Sequence, residues 1–208
     1  MKALDLFSGS GSFSTVSSTY GYDVTSIDIR KRKNTCEPSL RMDILDLDMN
    51  FFKINEFDVI WAGIPCDIWS YASAGFHLDS NFTPLTEKAV VHLEIFHKTI
   101  KLIEHLSPVY FFIENPRGKM RHYQGMLDFL NRNDAVIKEC TLSSYGFPTT
   151  KPTTIFTNFK QLKLRELDGF GRGHKNKELH SFDNLTKAQR QTTPALLIND
   201  ILAQLHNR

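Results

Sequence analysis

The chain has 208 residues, of which 41% are hydrophobic and 23% are charged, and its formal net charge at pH 7 is +2. These values are those of one ordinary globular domain, and so small a net charge by itself says nothing about nucleic-acid binding. No apolar run approaches the roughly 20 residues of a membrane span, and the three scattered cysteines form no CxxC pair, which argues against a disulfide framework or a zinc site.

Short apolar runs alternate with longer helical stretches through most of the chain. Strands are predicted over residues 3–7, 22–27, 57–62, 109–114, 135–142 and 154–158. Helices are predicted over residues 86–106, 123–132 and 194–205, where apolar residues recur every three to four positions. This alternation predicts an α/β fold with a mostly parallel sheet, and the last two strands indicate an antiparallel hairpin at one edge of the sheet.

Residues 159–190 break this rhythm. The stretch Gly169-Phe-Gly-Arg-Gly-His-Lys-Asn-Lys177 is glycine-rich and basic and has little periodicity, which predicts a loop. The sequence holds no internal repeat and no low-complexity tract. We therefore expect one domain over residues 1–208, with a loop segment at 159–190 and a C-terminal helix within 191–208.

A glycine-rich turn follows the first predicted strand, in Asp5-Leu-Phe-Ser-Gly-Ser-Gly-Ser-Phe-Ser14. Glycines at a strand-to-helix turn let a ligand approach the backbone closely, and the next helix offers free N–H groups. A plain tight turn would also explain them. Ser14 stands where a dinucleotide-binding fingerprint has its third glycine, which argues against a simple NAD site.

Two acidic residues follow in the order that a nucleoside-binding sheet requires. Asp28 ends the second predicted strand, where a carboxylate accepts hydrogen bonds from ribose hydroxyls. Asp43 comes near the end of the next short segment and could hold an adenine amino group. Each residue alone could equally be a cap or a turn residue, so the interpretation depends on their order after the glycine turn.

A cysteine lies in the loop after the strand at residues 57–62, within Gly63-Ile-Pro-Cys66. Loops at the carboxyl ends of parallel strands are where such sheets bind ligands. A buried structural cysteine is the alternative, but the flanking glycine and proline fix a tight loop and favour a reactive thiol. Cys36 lies in a polar stretch and Cys140 in a strand-like run far from any motif, so we expect neither to take part.

A glutamate ends the apolar strand at residues 109–114, within Glu114-Asn-Pro-Arg-Gly118. It should reach the same edge of the sheet as Cys66. A carboxyl group held among apolar neighbours has a raised pKa and can donate a proton near neutral pH. The alternative is a glutamate that caps the following helix.

Three motifs in this order, Asp5-Leu-Phe-Ser-Gly-Ser-Gly11, Pro65-Cys66 and Glu114-Asn-Pro116, resemble the cytosine-C5 DNA methyltransferase family. The resemblance is strongest to compact, phage-type members, which carry Glu-Asn-Pro where others have Glu-Asn-Val. Tyr145-Gly-Phe-Pro148 and the C-terminal helix around Pro194 also resemble later motifs of the family. Together these motifs are specific, whereas any one alone is not.

The resemblance implies a Rossmann-like fold and methyl transfer from S-adenosylmethionine to carbon 5 of cytosine in DNA. Cys66 would be the nucleophile that adds to carbon 6, and Glu114 would bind N3 and the exocyclic amine of the base. Lys151 would contact O2 or a phosphate. No metal is implied, and the C-terminal helix would return to the cofactor side.

The resemblance also implies the residues that surround the two ligands. Those of the S-adenosylmethionine site, where S-adenosylhomocysteine is the product, are Phe7, Ser8, Gly9, Gly11, Asp28, Ile29, Asp43, Ile44 and Pro65. Those that contact DNA are Ser70, Arg117, Arg172, Lys175 and Lys177. The target base must be flipped out of the duplex or be single-stranded, and a second basic cluster at residues 30–33 is a further candidate for phosphate contacts.

The sequence also departs from the family pattern. The family has glutamine or a similar neutral residue after the cysteine, and this chain has Asp67. Where the family has Gln-x-Arg-x-Arg, this chain has Thr149, Lys151 and Thr153, so one of the two basic groups is lost. The target-recognition region is reduced to about residues 159–190, which predicts little or only short sequence specificity.

Two alternatives to a DNA methyltransferase stay open. The first is an enzyme of the same fold that acts on RNA or on a free pyrimidine nucleotide. The second is a non-catalytic, methyltransferase-like DNA-binding subunit, which the altered segment at residues 149–153 favours. A partner protein or a homodimer could supply recognition. We expect no membrane association and, since strand-like residues follow Met1 directly, a cytoplasmic protein of a bacterial or phage-infected cell.

Overall fold

The computed structural model describes residues 1–29, 37–73, 75–165 and 185–207. The strands are β1 Lys2–Leu6, β2 Asp23–Asp28, β3 Leu40–Arg41, β4 Val59–Gly63, β5 Tyr110–Pro116, β6 Val136–Thr141 and β7 Pro152–Thr157. The helices are α1 Ser12–Thr19, α2 Glu87–Leu106, α3 Gln124–Arg132, α4 Lys187–Arg190 and α5 Ala195–His206. Short 3₁₀ turns cover Ile44–Asp46, Tyr71–Ser73, Lys119–His122 and Leu142–Tyr145.

The seven strands form one sheet in the order β3-β2-β1-β4-β5-β7-β6. Neighbouring strands from β3 to β5 are parallel, and β7 is antiparallel to both β5 and β6. The predicted α/β fold with an antiparallel hairpin at one edge is therefore confirmed. The strand order reverses between β1 and β4, and the crevice at such a switch point is where open α/β sheets bind their ligands.

Helices cover both faces of the sheet. On one face α2 and α3 pack over a core that includes Leu4, Ile60 and Phe111. On the other face α1 and α5 pack over a core that includes Val59 and Phe112. Because central parallel strands are buried on both faces, β4 and β5 appear in the sequence as nearly continuous apolar runs.

The predicted strands and helices agree with the structure to within a few residues at their ends. β1 stops at Leu6 because Phe7 has φ 62°, a left-handed conformation that leaves the strand. The helix predicted over residues 86–106 begins after Thr86, whose side chain accepts a hydrogen bond from Ala89 N at 3.2 Å. Within the described part of the chain, no helix combines the length and apolar character needed to cross a membrane.

The start of the segment predicted as a loop at residues 159–190 packs on the domain. Phe159 and Leu162 are buried on the face that α5 covers. The guanidinium of Arg165 donates to both carboxylate oxygens of Asp200 on α5, at 2.7 and 3.2 Å. Residues 166–184 lie outside the described part, and α4 precedes the return to α5.

Candidate active site

The glycine-rich turn after β1 lies at the switch point of the sheet. Gly9 and Gly11 have φ values of 52° and 73°, in the left-handed region, which residues other than glycine adopt only at a cost in conformational energy. The turn is held to β2, because Ser8 N donates to Ile27 O at 3.1 Å and Gly9 N donates to Asp28 Oδ2 at 2.8 Å. The conformation of the turn therefore favours glycine at both positions.

The sequence did not reveal the role of Asp5, which is buried at the end of β1. Ser14 of α1 donates to Asp5 Oδ2 twice, from Oγ at 2.5 Å and from its backbone N at 3.1 Å. Burial raises the pKa of Asp5 to about 7, against the lowering effect of the Ser14 hydrogen bonds. Ser14, where a fingerprint would have a third glycine, thus ties the first turn of α1 to the sheet.

The two predicted nucleoside-binding acids lie on neighbouring segments. Asp28 ends β2, and Met42 N donates to its backbone oxygen at 3.2 Å, so the segment before Asp43 runs beside it. Asp43 caps a 3₁₀ turn, with its Oδ1 accepting from Leu45 N at 3.0 Å. Ile29 is exposed beside the crevice, whereas Ile44 is buried in the core. Asp43 is therefore a capping residue, which is the alternative that the sequence left open for it.

Cys66 is half-buried in the loop that follows β4. Its backbone oxygen accepts from Trp69 N at 3.0 Å and from Ser70 N at 3.1 Å, which folds the chain into a tight turn. Burial raises the pKa of the Cys66 thiol, and the negative charge of Glu114 raises it further. The positive charge of Lys151 acts in the opposite direction.

Glu114 is the buried acid of the site. It is 7% exposed, and its Oε1 has no hydrogen-bond partner among the described residues. Burial raises the pKa of Glu114, and Lys151 opposes this rise. A buried acceptor without a partner costs free energy, so such atoms in folded proteins commonly meet a ligand or a water.

The loop that carries Cys66 is hydrogen-bonded to the end of β5, which carries Glu114, and to the turn that follows this strand. Asn115 Nδ2 donates to Ile64 O at 2.8 Å, and Lys119 N donates to Trp69 O at 2.7 Å. A Cβ atom on Gly118 would lie 2.2 Å from Trp69 O, so only glycine allows this approach. Cys66 and Glu114 therefore belong to segments that are held to each other.

Lys151 lies before β7 and close enough to Cys66 and Glu114 to lower the pKa of both. Its Nζ donates to Arg190 O at 2.8 Å and lies 5.4 Å from the ring centroid of Phe147. The amine is thus held by the chain itself, at a place from which its charge acts on both Cys66 and Glu114.

The threonines on either side of Lys151 replace two residues of the family pattern. Thr153 is buried, and its hydroxyl donates to Lys151 O at 3.3 Å. Thr149 is buried as well, and its Oγ1 has no hydrogen-bond partner among the described residues. A threonine side chain is much shorter than that of arginine, so the hydroxyl of Thr153 cannot extend as far as the arginine that the family has at this position.

The expectation that Cys140 lies far from the motifs was wrong. Cys140 is opposite Thr153 in the β6–β7 ladder and lies on the sheet face that carries Glu114. Burial raises the pKa of Cys140 to about 12, and Glu114 contributes to that rise. The sequence could not show this, because the antiparallel β7 lies between the two strands concerned. A thiol with so high a pKa is a neutral packing group near the site.

The residues predicted to contact DNA are only partly described. Ser70 lies in the turn after Cys66, and Arg117 lies after β5, where its Nε is 3.7 Å from Glu139 Oε1. Arg117 is therefore engaged by an acid of its own chain. Arg172, Lys175 and Lys177, the cluster at residues 30–33 and Cys36 lie outside the described residues. No group of three or more metal-binding side chains occurs among the residues that the structure covers.

Residues 1–148 match the family model described as C-5 cytosine-specific DNA methylase. A curated relative, the probable DNA (cytosine-5)-methyltransferase of Frog virus 3 (isolate Goorha), is 27% identical over 171 residues. That match covers 77% of this chain and 72% of the viral protein.

Solved structures share the fold. An Entamoeba histolytica methyltransferase, EhMeth, has a TM-score of 0.54 at 17% identity, covering 80% of this chain and 56% of that one. The S. pombe Dnmt2 methyltransferase has a TM-score of 0.52 at 16% identity, with 86% and 58% covered. A putative DNA modification methyltransferase encoded within an E. coli prophage has a TM-score of 0.50 at 19% identity, with 79% and 49% covered. The chain spans about half the length of the solved structures it matches.

Proposed function

The chain belongs to the C-5 cytosine-specific DNA methylase family, and from that membership we propose that it methylates carbon 5 of cytosine in DNA through a covalent adduct of Cys66. The observation that carries this proposal is the pairing of a half-buried thiol with a buried carboxyl group whose Oε1 has no partner among the described residues. Cys66 lies in the loop after β4 and Glu114 lies near the end of β5, and these two segments are hydrogen-bonded to each other.

Carbon 5 of cytosine is a poor nucleophile within the aromatic ring. Addition of the Cys66 thiolate to carbon 6 forms a sulfur–carbon bond and moves the ring electrons toward carbon 5 and N3. Carbon 5 then has the character of an enamine carbon. Loss of its proton to solvent after methylation, with expulsion of the thiolate, restores the ring and the free enzyme.

Glu114 would bind the N3 edge of the base. Burial raises the pKa of Glu114, which favours the protonated carboxyl group that can donate to N3 as negative charge develops there. Lys151 would stabilise the thiolate of Cys66 and the charge on the base, because it already lowers the pKa of Cys66. Cys66, Glu114 and Lys151 would thus act on the same ring.

S-adenosylmethionine, when bound, supplies an electrophilic methyl group. The residues of the crevice fit such a nucleoside, since the turn at Gly9 and Gly11 presents backbone without side chains. Asp28 accepts from Gly9 N of this turn, and Asp43 lies on the segment that runs beside the end of β2. We assign the remaining contacts to Phe7, Ser8, Ile29 and Ile44, which lie within two residues of this turn or of these acids in the chain, and to Pro65, which directly precedes Cys66.

We also propose that recognition of DNA is short-ranged, with two to four bases of context or none. The segment at residues 159–190 holds about 30 residues, and its beginning at Phe159 and Leu162 is buried in the domain. Single DNA-reading modules bury roughly 600 Å² or more of protein surface. A partner protein or a second copy of the chain would supply any longer recognition, and the cytoplasm of a bacterial or phage-infected cell would supply the DNA.

Methyl transfer from labelled S-adenosylmethionine to DNA, RNA and dCMP tests the proposed substrate. We expect label in DNA only, at carbon 5 of cytosine. Label in RNA alone or in dCMP alone would show that this molecule, and not DNA, is the substrate. No transfer to any of the three would favour the non-catalytic alternative. Bisulfite sequencing of the methylated DNA tests the specificity, and a strict site of six or more bases with no partner present would contradict it.

A further inference from the structure

The first two turns of α2 lie against the loop that carries Cys66. Lys88 Nζ lies 2.6 Å from Asp67 Oδ1, and Asp67 is the residue directly after Cys66. One turn further along α2, the half-buried ring of His92 interacts with the backbone oxygen of Pro65, directly before Cys66. One face of α2 therefore contacts the chain on both sides of the thiol.

We propose that Lys88 is a positioning residue for Cys66, which holds the Asp67 carboxylate against α2 and offsets its charge beside the thiol. This inference rests on the proposed role of Cys66 as nucleophile. It explains how the chain has an acid at the position where the family has a neutral residue. The carboxylate is acceptable next to a thiolate because an ammonium group accompanies it.

The physical argument begins with the charges that face Cys66. Glu114 on β5 and Asp67 in the loop both raise the pKa of the thiol, and Lys151 before β7 lowers it. A carboxylate next to the sulfur disfavours the thiolate, which is the form that attacks carbon 6. A cation bonded to that carboxylate reduces the effect.

The two neighbours on α2 differ in what they contribute. Burial lowers the pKa of His92, so its ring adds no positive charge above neutral pH. Lys88 is therefore the cation that α2 brings to the loop. The side chains of Lys88 and Asp67 are 46% and 42% exposed, and ion pairs this exposed add little to the stability of a fold. We therefore expect the loss of Lys88 to change the reactivity of the Cys66 thiol and to leave the stability of the fold nearly unchanged.

Alkylation of Cys66 by iodoacetamide across a pH series, followed by peptide mass spectrometry, tests this without DNA or cofactor. We expect Lys88→Gln to move the midpoint of the rate profile to higher pH and to slow alkylation at pH 7.5 by about two- to fivefold. Asp67→Asn should speed it. The Lys88→Gln shift should be smaller in the Asp67→Asn background than in the wild type, because the part of the effect that comes from holding the carboxylate is lost there, whereas the direct effect of the ammonium charge remains.

The control is Lys101→Gln, which removes the same charge from an exposed position further along α2. An equal shift in this variant, or a Lys88→Gln shift that is undiminished in the Asp67→Asn background, would overturn the proposal. An unchanged profile in Lys88→Gln would overturn it too. Because thiol reactivity is measured directly, failure of DNA methylation would refute the proposed function and leave this result standing.

Discussion

Gly63 of β4 is the register partner of Glu114 of β5 in the parallel ladder between these strands. The glycine therefore presents no side chain beside the carboxyl group, and the loop to Cys66 departs from the same edge of the sheet. A Cβ atom on Gly63 would lie 3.8 Å from Phe7 O, so a side chain at this position would contact the residue that follows β1.

The role of Cys66 is tested with DNA that contains 5-fluorocytosine. Fluorine at carbon 5 cannot leave as a cation, so the wild-type protein should remain bound through the thioether in a complex that resists denaturation. Cys66→Ala should abolish trapping and methylation and still bind the cofactor. Cys36→Ala is the matched control and should trap normally. Methylation by Cys66→Ala, or methylation by wild type without an adduct, would refute the thiolate mechanism.

The role of Glu114 is tested by Glu114→Gln, which keeps the shape of the side chain and removes its acid. Adduct formation should slow by about 100-fold or more, the usual scale for a positioned acid or base. Single-turnover trapping gives the rate. Cys140→Ala changes a neutral group near Glu114 and should slow trapping far less. A Glu114→Gln rate within a few-fold of wild type would remove Glu114 from the mechanism.

The cofactor site is tested by calorimetry with S-adenosylmethionine. Gly9→Val should greatly weaken binding, because a branched side chain disfavours φ 52° and fills the approach to the backbone. Asp28→Ala should weaken it as well, since the acceptor of Gly9 N and a ribose contact are lost together. Circular dichroism must show that the fold is kept. Unchanged affinity in both variants would place the cofactor elsewhere.

Asp5 predicts a pH dependence of stability. Its folded pKa of about 7 lies above the ordinary value of 3.8 for an exposed aspartate, so the native state binds the proton more tightly than the unfolded state. The stabilising contribution is complete below about pH 4 and is lost as the pH rises through 7, by on the order of 4 kcal/mol at most. Urea unfolding between pH 5 and 8 should show a steeper loss in wild type than in Asp5→Asn. Equal slopes would contradict the assigned pKa.

Gly118 predicts a steric requirement. In Gly118→Ala the new Cβ would meet Trp69 O at 2.2 Å, so the two active-site loops must move apart. We expect a loss of about 1–3 kcal/mol in the free energy of unfolding and slower 5-fluorocytosine trapping. Denaturant titration and the trapping rate measure the two effects. An alanine variant that matches wild type in both would show that the close approach is unimportant.

Sequence reasoning located the groups that stand at strand ends. Cys66 and Glu114 follow apolar runs, and the carboxyl ends of parallel strands share one edge, so their proximity followed from the fold class. Relationships across the sheet or between a helix and a loop could not be predicted. The Asp5–Ser14 hydrogen bonds depend on the angle at which α1 follows the glycine-rich turn. The Lys88–Asp67 pair depends on how α2 packs against the loop after β4. The periodicity of apolar residues in the sequence predicts neither contact.

The position of β7 has a consequence for the time at which the site can form. The strand is the last of the seven in the chain, yet it lies between β5 and β6, and Ile155 is the neighbour of Glu114 in the ladder. During synthesis on the ribosome the gap beside Glu114 therefore stays open until residues 152–157 have emerged. Pairings between distant parts of a chain form slowly, and the sheet edge is exposed meanwhile. Nascent chains that end before residue 152 would carry both Cys66 and Glu114 without an assembled site.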